Sequence, residues 1–151
     1  SRELNFVLGL SMGGFGAFKL ALTHPNMIAG AGSLSGVLDI VDRMKINRGS
    51  SKEFRRIFGP FDELPGSIDD LPHHMSHIQH PSNVPLLFQR CGTQDIFLNN
   101  NRRFHQVAVA SGAALNYAEE EGYDHNWEYW EPKPHEFFAW ARNVIQSGSH
   151  T

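Results

Sequence analysis

A glycine-flanked serine sits where an apolar run would end as a strand and a helix would begin: Gly9-Leu10-Ser11-Met12-Gly13-Gly14 directly follows Leu4-Asn5-Phe6-Val7-Leu8. The form G-x-S-x-G on such a strand-to-helix turn is a nucleophile elbow. A serine hydroxyl is a poor nucleophile, so the turn must lift it to where a histidine can take its proton. The turn brings backbone close to backbone on both sides of Ser11, and Gly9 and Gly13 accommodate that at least steric cost. Met12 opens the helix, so its amide is expected to point at the place where a carbonyl oxygen becomes an oxyanion. A five-residue pattern recurs by chance, but the strand before it and the helix-forming residues 15–23 after it supply the context that the motif requires.

The rest of the chain fits one domain. Its 151 residues can bury a core. A formal charge of -3 and scattered Lys and Arg give no basic face for nucleic acid. No apolar run approaches the roughly 20 residues that span a bilayer, so neither nucleic acid nor membrane is an expected partner. Cys91 is the single cysteine, which excludes an internal disulfide and fits a reducing, cytoplasmic compartment.

Residues 4–9 read as a buried strand, 13–23 as a helix stopped by Pro25, and 29–34 as a second strand ending at Ser35-Gly36. Residues 85–91 read as a third strand, 99–111 as a helix closed by Gly112, and 115–121 as a last strand of edge character. Residues 134–146 read as the final helix, with Phe137, Phe138, Trp140, Ala141, Val144 and Ile145 on its buried side. Strands alternating with helices predict an α/β fold with a doubly wound, mostly parallel sheet. Residues 37–84 lack a clean period and read as a cap or lid inserted in the domain. The strand expected to carry the nucleophile comes within a few residues of Ser1, whereas such folds place several strands before the elbow. Residues 1–151 are therefore expected to be the C-terminal part of one domain of a longer enzyme, lacking its N-terminal strands.

An elbow of this type needs an acid and a histidine in the order Ser, Asp or Glu, His. Asp95 follows the third strand by the turn Gly92-Thr93-Gln94, at the strand ends where α/β folds gather their sites. Asp39 and Asp42 follow an earlier strand and are the alternatives. Asp69 and Asp70 read as helix caps in the insertion. His125 lies in the loop after the last strand, which returns to the sheet end above Ser11. His135 lies too far into the final helix, and His24 at the far end of the first. Asp124 adjoins His125, but chain neighbours rarely face each other.

These segments carry a family resemblance. Gly9-Leu10-Ser11-Met12-Gly13-Gly14-Phe15-Gly16-Ala17, Ser33-Leu34-Ser35-Gly36, Cys91-Gly92-Thr93-Gln94-Asp95 and His125-Asn126-Trp127-Glu128-Tyr129-Trp130 are similar to the tributyrin esterase branch of the esterase D family. That family also includes S-formylglutathione hydrolases and some feruloyl esterases. The resemblance covers nearly the whole chain and implies an α/β-hydrolase fold acting on small acyl esters through an acyl-enzyme. It implies Ser11 as nucleophile, Asp95 as orienting acid and His125 as base, with no cofactor. Two departures stand out. The family's N-terminal portion, which carries the other oxyanion donor, is absent, and Glu131-Pro132-Lys133-Pro134 interrupts what usually runs on as helix.

Trp127 reads as a wall of the substrate pocket beside His125, or as a core aromatic on the sheet. His73, His77 and His80 would share a helix face at metal-compatible spacing, but no carboxylate or cysteine accompanies them, so no metal site is expected. Cys91 reads as a buried small hydrophobe. The same triad could serve acyl transfer or thioester hydrolysis. A chain without its N-terminal strands could instead be an inactive half-domain. It would then present residues 4–9 as an unpaired edge to a complementary N-terminal chain or a second copy of itself.

Overall fold

The computed structural model describes residues 1–46 and 52–148. Four strands form one sheet in chain order: β1 (Phe6–Leu10), β2 (Gly30–Leu34), β3 (Leu86–Gly92) and β4 (Leu115–Glu120). All three pairings are parallel, with Leu10 beside Leu34 and Leu34 beside Arg90. Every strand therefore ends on the same side of the molecule, which is where a parallel α/β sheet collects its functional loops. The acidic β4 is one edge of the sheet and the apolar β1 the other.

Small residues in β2 let both layers come close. A Cβ at Gly30 would meet the rings of Phe6 and Trp140, and one at Gly32 would lie 2.6 Å from Leu8 and Phe137. On one face, α1 (Met12–Thr23) and α5 (Leu98–Ala110) bury Phe15, Phe18, Leu22 and Phe104 against Ala31 and Leu87. On the other, α7 (Lys133–Gly148) sets Phe137 against Phe88, Leu34 and Phe6. The sheet is thus covered on both faces. Among the described residues, no helix is long and apolar enough to cross a membrane.

Three details differ from the pattern expected of the sequence, and the segment without a clean period takes on defined elements. Arg2–Leu4 forms a 3-10 turn, so β1 starts at Phe6 and runs on through Leu10. The aperiodic segment 37–84 holds short helices, α2 (Ile40–Ile46), α3 (Lys52–Phe58) and α4 (Leu71–Ser76), and 3-10 turns at Phe61–Glu63 and Pro81–Asn83; its residues 47–51 lie outside the described residues. Its Leu38, Ile40, Met44, Leu64, Leu71 and Met75 are buried in the same cluster as α1 and α5, and Lys19 of α1 pairs with Asp69. Phe138 is 64% exposed while Phe137 is 1% exposed, because adjacent helical positions point about 100° apart. Finally, α4 ends at Ser76, so His80 lies beyond it and does not share a helix face with His73.

Candidate active site

Ser11 stands between the end of β1 and the start of α1 with φ +53° and ψ -120°, a backbone conformation that L side chains rarely adopt. Its amide donates to Leu34 O at 2.9 Å, and its carbonyl accepts from Gly14 and Val37 at 3.0 and 3.2 Å. Backbone hydrogen bonds from three segments hold the strained turn. The glycine requirement is sharper than the five-residue motif suggests. A Cβ at Gly9 would lie 2.0 Å from Gly13 O, and one at Gly14 2.5 Å from Ser33 Oγ and 3.0 Å from Gly36 Cα. At Gly13 a Cβ would meet nothing within 4 Å, so the crowded positions are Gly9 and Gly14 and not the pair flanking Ser11 in the motif. Met12 is the first residue of α1, where the amide has no acceptor inside the helix.

Asp95 and His125 converge on this serine. His125 Nε2 lies 3.0 Å from Ser11 Oγ, and His125 Nδ1 lies 3.1 and 3.0 Å from the two carboxylate oxygens of Asp95. A carboxylate only accepts, so Nδ1 carries the ring proton and the Nε2 lone pair faces the serine hydroxyl. The Asp95 side chain is fully buried, while His125 keeps 19% of its side chain exposed. Phe97 donates its amide to Asp95 Oδ1 at 2.8 Å, fixing the carboxylate from the other side. The two loops are bound together: Gln94 N donates to Tyr123 O at 2.9 Å, Thr93 N to Glu120 O at 2.9 Å, and Gly122 N to Thr93 Oγ1 at 2.9 Å. A Cβ at Gly92 would lie 2.2 Å from Tyr123 O, so the contact depends on glycine.

The other candidates are occupied elsewhere. Asp39 caps α2 by accepting the Asp42 amide at 2.9 Å and faces Arg103 at 3.2 Å; burial pushes its carboxyl above the ordinary carboxylate value. Asp70 caps α4 through His73 N at 3.2 Å, whereas Asp69 is not a cap and pairs with Lys19. Asp124 accepts the backbone amide of His125 at 2.6 Å and leaves the imidazole to Asp95. His24 contacts Thr23 Oγ1, and His135 is exposed on α7. His73 and His77 stack on each other with ring centroids 4.0 Å apart. Cys91 is fully buried, and that burial pushes its thiol far up, which keeps it neutral.

Trp127 is 68% exposed, so it is not a core aromatic; its ring lies 5.5 Å from Trp130, edge to face. Trp130 and Phe97 are the neighbours of the imidazole, at 4.7 and 5.0 Å and nearly perpendicular to it. Trp130 in turn donates its indole N–H to Ser35 Oγ at 3.0 Å. Neither Phe97 nor the Ser35–Trp130 pair was foreseeable from spacing, since 95 positions separate the latter two. Cavities of about 290 and 510 Å³ open elsewhere. One lies beside His74, His77 and Ile78, the other near Arg2, Ala29 and Leu86 at the opposite ends of the strands. Neither is lined by Ser11, Asp95 or His125.

Residues 1–140 match the protein-family model Esterase, described as "Putative esterase". An acetyl esterase of Caldicellulosiruptor saccharolyticus is 30% identical over 150 residues, which cover 95% of this chain and 56% of that protein. Among solved structures, the fluorophosphonate-binding serine hydrolase F of Staphylococcus aureus superposes with a TM-score of 0.79 at 26% identity, over 93% of this chain and 55% of its own. The S-formylglutathione hydrolase of Staphylococcus aureus gives 0.76 at 26% identity, over 93% and 55%. The chain thus spans a little over half the length of these relatives, and its sheet is that of the α/β-hydrolase fold. By sequence and by structure, this chain belongs to the esterase family.

Proposed function

We propose that the protein carrying this chain is a serine esterase that hydrolyses small acyl esters through an acyl-enzyme on Ser11. The reading rests on one observation: His125 bridges Ser11 Oγ at 3.0 Å and the Asp95 carboxylate at 3.0 Å. Ser11 Oγ attacks the ester carbonyl as His125 Nε2 takes its proton, while Asp95 holds the tautomer and balances the imidazolium. The helix-opening amide of Met12 donates to the oxyanion, aided by the positive end of α1. Collapse of the tetrahedral intermediate expels the alcohol with the proton from His125. Water then enters by the same route and attacks the acyl carbon as it gives His125 its proton; collapse releases the acid, and His125 returns the proton to Ser11 Oγ. Trp127 borders the bound ester in this reading, which its exposure two positions beyond His125 supports.

Likeness to an acetyl esterase supports a short acyl group, and likeness to an S-formylglutathione hydrolase supports a thioester as the second substrate class. The apolar outer edge of β1 supports a partner strand, from a complementary segment or a second copy. The test is turnover of p-nitrophenyl acetate by the full-length protein. Ser11→Ala is expected to abolish it, and Asp95→Asn to lower it by about 10⁴-fold through the wrong imidazole tautomer. Turnover that survives Ser11→Ala sinks the proposal.

A further inference from the structure

Ser35 keeps a side chain where glycine would be freer. Its φ is +50°, it is fully buried, and with Ser11 it is one of two non-glycine residues at positive φ among those described. What holds a hydroxyl there is Trp130, whose indole N–H donates to Ser35 Oγ at 3.0 Å. A buried indole N–H needs an acceptor.

The pair joins two parts of the site. Ser35 N donates to Arg90 O at 2.8 Å, which ties it to β3, and the preceding residue, Leu34, accepts the Ser11 amide at 2.9 Å. Trp130 lies on α6 (Trp127–Trp130), a single turn capped by Asn126 Oδ1 on Tyr129 N at 3.2 Å, directly after His125. Its ring stands 4.7 Å from the imidazole at 88°. Asp95 fixes where Nδ1 points, but rotation about the Cβ–Cγ bond would still carry Nε2 off Ser11 Oγ. Two rings flank the imidazole against that rotation, Phe97 at 5.0 Å and the perpendicular indole at 4.7 Å, and the Ser35 bond keeps the indole in place.

We infer that Ser35 and Trp130 are positioning residues, a hydrogen-bonded strut that aims His125 Nε2 at Ser11 Oγ and then at the leaving group. The inference rests on the reading of His125 as the base. Neither residue touches substrate; both act through the imidazole.

The test measures phosphonylation of Ser11 by a fluorophosphonate probe, and kcat and KM on p-nitrophenyl acetate, in the full-length protein. Ser35→Gly suits the positive φ and removes only the acceptor; Trp130→Phe keeps an aromatic ring and removes the donor. Because small misplacements of a catalytic group are costly, each variant should label about tenfold more slowly and lose kcat with KM held within about twofold. The double variant should be no slower than either single one, since both remove the same bond. Wild-type labelling rates in both folded variants, with only the melting temperature lowered, would overturn the strut. So would independent, additive losses. A wild-type protein without a Ser11-dependent adduct would overturn the base assignment itself, and the strut with it.

Discussion

At Gly9 a single hydrogen atom separates a formed elbow from a collision, because a Cβ there would sit 2.0 Å from Gly13 O and 2.8 Å from Gly14 N. Both are backbone atoms of the helix that presents Ser11, and neither can rotate away. Gly9→Ala is therefore expected to lower stability by at least about 1–3 kcal/mol, the usual range for overpacking, and to displace the nucleophile as well. Gly13→Ala, in open space within a helix, is expected to be neutral or stabilising by up to about 1 kcal/mol. Urea denaturation of the two variants checks the contrast, and equal losses would contradict it. The motif was legible as a turn, and Asp95 and His125 as its neighbours, because chain order and strand ends limit where an acid and a base can come from. Which glycine is crowded was not legible. That depends on Ser33 of the adjacent strand and Gly36 just past its end, which approach Gly14 and leave Gly13 free.

Among the elements, the long helices could be read from periodicity and the short ones could not. α1, α5 and α7 each repeat an apolar stripe over three turns or more, whereas α2, α3 and α4 have seven residues or fewer and show no period to find. Even in α7 the apolar stripe of the sequence is one residue wider than the face that is buried. Phe137 packs against Phe88 at 5.6 Å and Trp140 at 5.4 Å, while Phe138 faces outward at 64% exposure. Phe137→Ala is expected to cost about 3–5 kcal/mol, as large-to-small changes in aromatic cores do. Phe138→Ala should stay within about 0.5 kcal/mol of wild type, as an exposed position does. Chemical denaturation midpoints separate them; a cost at Phe138 matching that at Phe137 would mean that α7 is rotated from the position described. The same helix is fixed to the sheet by charge, with Arg90 Nε donating to Glu136 Oε1 at 2.7 Å and Lys133 pairing with Glu120. None of these pairings has a sequence signal, since the partners come from different elements.

Across the whole molecule, four parallel strands end on one side and deliver Ser11, Asp95 and His125 from the ends of β1, β3 and β4. The alternating order of strands and helices made that architecture legible, because a parallel sheet admits few other connections. The strut between Ser35 and Trp130 was not legible, since only the folded sheet end brings the two together. In the proposed function this arrangement makes Ser11 a working nucleophile. Intact-mass spectrometry of the full-length protein before and after a fluorophosphonate probe tests it most directly. One adduct per chain is expected, absent in Ser11→Ala and strongly slowed in His125→Ala. A folded protein that takes up no adduct, or takes one up equally in Ser11→Ala, would contradict it.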